Sequence, residues 1–122
     1  MWEIKLYLDK EWKTFSTDFI SGRMFRKSLE LDDRRNKFLQ KALEHKELDR
    51  VEQDQIVKEL FSVITQVFDN QFSIEQYEEG TDARKIADQS WSIIHGIIGQ
   101  TLEPLSSLAS EEDDLKKTLT SR

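Results

Sequence analysis

The apolar residues of this chain change their spacing at Ser21, and that change limits the folds open to it. From Trp2 to Leu8 they alternate: Trp2, Ile4, Leu6 and Leu8 share one face of an extended segment, while Glu3, Lys5 and Tyr7 share the other. Trp12 to Thr17 reads as the partner strand, with a turn centred on Asp9 and Lys10. A tight two-residue turn asks its central residues for positive φ, which lysine meets less readily than glycine. A two-stranded hairpin is marginal in water by itself, so its apolar face must lie on something else. The remainder of the chain offers helices for that purpose.

From Ser21 onward the apolar period is helical. Ser21 is a candidate N-cap for a helix over about 21–44, with Met24, Phe25, Leu29 and Leu31, then Phe38, Leu39, Ala42 and Leu43, on either side of the charged stretch DDRRNK. Six polar residues in a row predict a kink or break near Asp32 and Asp33. After a polar turn at Glu44 to Glu47, Asp49 stands as N-cap with Glu52 three residues on, ahead of a helix over 50–69 carrying Val51, Ile56, Val57, Leu60, Phe61, Val63, Ile64, Val67 and Phe68. Asp69 and Asn70 end it. Ser73 and Gln76 then have the spacing of a capping box, which predicts a short helix over 73–79. Gly80 is expected to close it in the left-handed conformation, and Thr81 to cap a last helix over 82–99. That helix carries Ile86, Ala87, Trp91, Ile94, Ile97 and Ile98, contains Gly96 and Gly99, and is expected to end at Pro104. The expected fold is α+β, mainly α: an N-terminal β-hairpin over 2–17 packed on a small bundle of three to four helices. One domain spans 1–103, followed by a flexible acidic and polar tail over 104–122.

Length and charge narrow the function. With 122 residues the chain can bury one core and not two. A net charge of -6 opposes general nucleic-acid binding, which needs a basic face to neutralise phosphates. The apolar runs are well short of the roughly 20 residues of a membrane span, and the first residues lack the apolar core of a signal peptide. No cysteine is present, so disulfides, thiolate nucleophiles and sulfur-based zinc sites are excluded. The expectation is a soluble intracellular protein.

Motifs that carry chemistry are missing too. His45 lies in the polar turn and His95 in the last helix, and neither has a partner at metal-ligand spacing. A calcium loop beginning at Asp69 fails on Ile74 at its sixth position and Gly80 at its twelfth, where glycine and glutamate are required. There is no phosphate-binding glycine loop and no G-x-S-x-G nucleophile turn. No enzymatic activity, metal or cofactor is expected. What remains is aromatic bulk. On one reading the aromatic residues fill the core; on the other, Phe15, Phe19, Phe72 and Tyr77 stay exposed as a docking patch for a partner. The pattern alone supports both.

The order KLYLDKEWKTF, FISGRMFRKSLEL, LFSVITQVFDNQFSIEQYEEG and IIHGIIGQTL resembles the tail assembly chaperones of long-tailed bacteriophages of Gram-positive hosts. The shared features are a short hairpin, a helix opened by a small residue and Gly22-Arg23, an F-x-N-Q-F connector, and a glycine before the last helix. The likeness covers Met1 to about Glu103, and Lys10 stands where such proteins often carry glycine. The resemblance implies a non-enzymatic chaperone that binds the tape measure protein, keeps it soluble and helps tail tube subunits assemble around it. It also implies self-association, contact with the major tail protein through a frameshift-extended form, and action in the host cytoplasm with no place in the finished virion. The alternative is a structural tail or connector protein that the virion retains.

Overall fold

The computed structural model describes the backbone of residues 1–108 and the side chains of residues 1–99. Two strands, β1 (Trp2–Leu8) and β2 (Glu11–Thr17), pair antiparallel in a register that sets Trp2 opposite Thr17 and Leu8 opposite Glu11. Asp9 and Lys10 form the turn with φ of 54° and 66°, the doubly positive geometry that suits the twist of a hairpin. Lys10 therefore occupies a conformation that costs an L-residue about 1–2 kcal/mol relative to glycine. Ile4 and Leu6 are buried beneath the hairpin, with Trp2, Leu8 and Phe15 packed half-buried beside them.

Four helices follow: α1 (Gly22–His45), α2 (Arg50–Val67), α3 (Ile74–Gly80) and α4 (Ile86–Leu108). The Ser21 hydroxyl accepts the Met24 N–H and starts α1. The break expected at Asp32 and Asp33 does not occur. Leu31 and Phe38, seven residues apart on one face, are both buried and hold the helix in register. The charges between them point outward into pairs: Asp33 with Lys37 at 3.0 Å, Arg34 with Glu59 at 2.8 Å, and Asp32 with the His95 ring nitrogen at 2.9 Å. Arg35 lies over the Trp91 ring at 4.9 Å. A dense charge run is compatible with helix when each charge has a partner on the solvent side.

The Asp49 carboxylate caps α2 by accepting the N–H groups of Val51 and Glu52. The helix ends at Val67, two residues before the expected boundary, because Asp69 and Asn70 both turn to φ of 56°. The Asn70 N–H closes that end on the Thr65 carbonyl at 2.8 Å. The capping box at Ser73 and Gln76 forms in both directions, at 3.0 and 2.9 Å.

Gly80 departs from its expected role. No glycine among the described residues has positive φ. Gly80 instead sits where α3 presses on β1: a Cβ there would stand 3.1 Å from Leu6 Cβ and 3.3 Å from the Tyr7 carbonyl oxygen. Thr81 ends α3 and its hydroxyl accepts no N–H of α4, so it does not cap that helix. The approach to α4 belongs to Asp82, whose carboxylate accepts the Arg84 N–H and whose carbonyl accepts those of Lys85 and Ile86. This delays the regular helix to Ile86. Gly96 is a close-packing site, with a built Cβ falling 2.9 Å from the Trp2 ring. The expected end at Pro104 is also corrected. The missing proline N–H removes one bond to the carbonyl four residues back, and α4 continues across that loss to Leu108. From residue 109 on, the expected tail lies outside the described residues.

α2 forms the spine of the core, burying Ile56, Leu60, Phe61, Val63, Ile64 and Val67. Contacts from Lys27 to Gln66 and from Arg34 to Gln55 and Glu59 show that α1 and α2 run antiparallel. Those from Asp32 to His95 and from Arg35 to Trp91 place α4 antiparallel to α1.

Candidate functional site

The connector between α2 and α3 is a packed aromatic joint. Phe72 lies 5.0 Å from Phe15, 5.8 Å from Phe68 and 5.9 Å from Tyr77, ring centre to ring centre, and Phe61 meets Tyr77 edge-on at 5.4 Å. Phe72 and Tyr77 are buried. Capping of α3 by Ser73 turns both rings inward, so neither is a surface residue. The Tyr77 hydroxyl shares a 2.6 Å hydrogen bond with Ser90, which is itself fully buried, and accepts a longer one from the Gln89 amide at 3.3 Å. Burial pushes the Tyr77 phenol above its ordinary value of 10, and the bonds to Ser90 and Gln89 oppose the shift only in part. This network fixes the seat of α4 on α3.

Of the four residues expected to form a docking patch, Phe15 is half-buried against Phe72, and Phe19 alone is exposed, at 77%. Phe19 is presented by a local turn: the Thr17 hydroxyl donates to the Phe19 carbonyl at 3.1 Å. The four do not form one surface.

Exposed apolar groups gather elsewhere. On the outer face of the hairpin Trp12 packs against Tyr7 at 5.2 Å, a cross-strand pair that supports the sheet. Others lie toward the closed end of the α1–α2 pair. Leu43 is 80% exposed, Val51 70%, Leu48 48% and Leu39 40%, Leu39 and Leu43 on a face of α1 turned away from α2. A hollow of about 500 Å³ opens between the two helices there, lined by Phe38, Ala42, His45, Leu48, Asp49 and Val51. Lys41, Glu47, Arg50 and Glu52 ring it with both signs of charge. The last turn of α1 reaches past the level at which α4 begins. Sequence reasoning placed Leu43 and Val51 on buried helix faces and passed over Leu48. The available signal was position, since both flank the polar turn at Glu44 to Glu47, where the bundle runs out of partners.

Among the described residues no three His, Cys, Asp or Glu side chains are grouped to hold a metal ion. The strongest carboxylate perturbation is at exposed Asp82, held well below the usual range by its hydrogen bonds from the Arg84 guanidinium and backbone. That interaction shapes a turn.

A family model described as phage tail chaperone protein matches residues 1–121. The chain belongs to that family. No curated protein and no solved structure matches it. Membership places the chain in tail assembly as a chaperone, and the fold supplies that family member with a small mixed domain, mostly helical, with exposed Leu48 and Val51 at one end of a helix pair. No helix among the described residues is long and apolar enough to cross a membrane.

Proposed function

We propose that the chain chaperones tail assembly by holding apolar helical segments of the tape measure protein at the closed end of α1 and α2. One observation carries this reading: Leu48 and Val51 stand exposed at an open hollow between α1 and α2, floored by Phe38 and Ala42. An amphipathic client helix has the chemistry to fill it, setting side chains at i, i+3 and i+4 against these residues while its polar face meets the charged rim. Two exposed aliphatic residues at the hollow are a small area beside the roughly 800 Å² per partner of a durable complex. Weak, repeated binding along a long helical client follows, and it suits a protein that must let go as tube subunits close around the client.

The same reading covers the finer expectations. Binding alone does the work, without enzymatic activity. The site of action is the host cytoplasm, and the protein leaves before the tail is complete. Contact with the major tail protein and association of several copies along one client are consistent with repeated weak binding. Co-expression with the tape measure protein tests the proposal: a complex and a gain in client solubility support it, and neither appearing overturns it. Mass spectrometry of purified virions separates it from the alternative of a retained structural or connector subunit, which would be present in stoichiometric amount.

A further inference from the structure

A second hollow, of about 370 Å³, opens where the hairpin runs into the start of α1. Trp2, Ile20, Phe25 and Ile97 give it apolar walls, and Asp18 and Gly22 complete the lining. Trp2, Ile20 and Phe25 are only half-buried, so part of that wall faces solvent. Leu29, one turn beyond Phe25 on the same face of α1, is exposed and extends the apolar strip.

A side chain suited to this hollow stands on the same surface. Phe19 directly precedes Ile20 and is 77% exposed, and of the seven phenylalanines it alone is exposed. The Thr17 hydroxyl fixes the backbone that carries it by donating to the Phe19 carbonyl at 3.1 Å. The charges beside ring and hollow are opposite in sign. Asp18 adjoins Phe19, whereas α1 opens with Arg23 and Arg26 exposed and with no acidic residue in its first turn. Arg26 follows Gly22 of the hollow by four residues, which puts both on one face of the helix. Among the described residues neither Asp18 nor Arg26 makes an ion pair.

A two-fold contact uses the same patch on both sides, so any knob and the hollow that receives it must share one surface. This surface meets that condition. We propose that two copies of the chain pair here, the Phe19 ring of each entering the hollow between Trp2 and Phe25 of the other. Asp18 of each copy then meets Arg26 of the other. A second copy is the occupant because one patch supplies the ring, the hollow and both signs of charge. A contact centred on two rings is small beside the roughly 800 Å² per partner of a durable complex, so the pair is weak and forms as concentration rises. The 24 residues of α1 put the closed end of α1 and α2 about 35 Å away, and that end stays open in both copies. The pairing needs no client and stands apart from the reading of that end.

Analytical ultracentrifugation of the full-length chain over a concentration series tests the pairing. The weight-average mass should climb from monomer toward dimer and level off there. Phe19→Ala should weaken the association by about tenfold or more, as loss of a buried aromatic anchor does, with the urea midpoint of the dilute protein unchanged. Asp18→Arg and Arg26→Asp should each weaken it as well. Both changes in one chain should restore it, because the two pairs between copies are rebuilt with their signs exchanged. The proposal is overturned by a mass that stays monomeric, by growth past the dimer, by a dimer that Phe19→Ala leaves intact, or by a charge exchange that restores nothing.

Discussion

Tyr77→Phe removes one oxygen from the centre of the molecule and tests how α4 is held. In the native protein the Tyr77 hydroxyl and Ser90 satisfy each other at 2.6 Å, and Ser90 has no exposure to water. Loss of the hydroxyl leaves the Ser90 oxygen buried and short of its partner, a loss of about 1–3 kcal/mol. Ser90→Ala should be milder, near 1 kcal/mol, because the phenol keeps the Gln89 amide at 3.3 Å. The double variant removes both polar groups, so its loss should be smaller than the sum of the two by about 1 kcal/mol. Urea unfolding followed by tryptophan fluorescence measures all three, with the midpoint shifting and the slope unchanged. Losses that simply add would refute the claim that this bond is a unit holding α3 to α4.

Three other outcomes follow from the same geometry. Burial raises the Tyr77 phenol above 10, so the unfolded chain gives up that proton first; stability present below pH 10 should decline as pH rises through the folded value, and Tyr77→Phe should flatten that part of the profile in pH-dependent unfolding. Phe72→Ala should cost about 3–5 kcal/mol, whereas Phe19→Ala should stay within about 0.5 kcal/mol, and comparable losses in thermal unfolding would contradict the assignment of one ring to the core and the other to solvent. Lys10→Gly should raise stability by about 0.5–1 kcal/mol by relieving a positive-φ lysine, and calorimetry showing a loss would refute that description of the turn.

The elements legible in the sequence were those in which a local rule and the tertiary fold agree. The hairpin followed from alternation of Trp2, Ile4, Leu6 and Leu8, and the capping box from Ser73 and Gln76, since each depends on residues within a few positions. The errors share another cause. Asp32 to Lys37 looked like a helix breaker because the partners that neutralise them, Glu59, His95 and Trp91, lie on other helices. Gly80 looked like a left-handed cap, yet the space it vacates is claimed by a strand more than 70 residues earlier in the chain. Phe72 and Tyr77 were ambiguous because periodicity gives a face and not what lies opposite it. The exposed end at Leu43 and Val51 was hidden for the same reason: both belong to apolar helical stripes, and only the lengths of the neighbouring helices reveal that the stripes outrun the bundle.

A client held at this end of α1 and α2 should be released by charge placed there. Leu48→Asp with Val51→Asp places two charges at positions 48% and 70% exposed, where surface substitutions change stability by only about 0.5 kcal/mol each. The measurement is the amount of tape measure protein that co-purifies with this double variant relative to the native chain, with the urea midpoint as control. A client yield reduced by about tenfold or more at an unchanged midpoint, the equivalent of losing roughly 1.4 kcal/mol of binding, is the predicted result. An undiminished yield from the correctly folded variant would place the client on another surface.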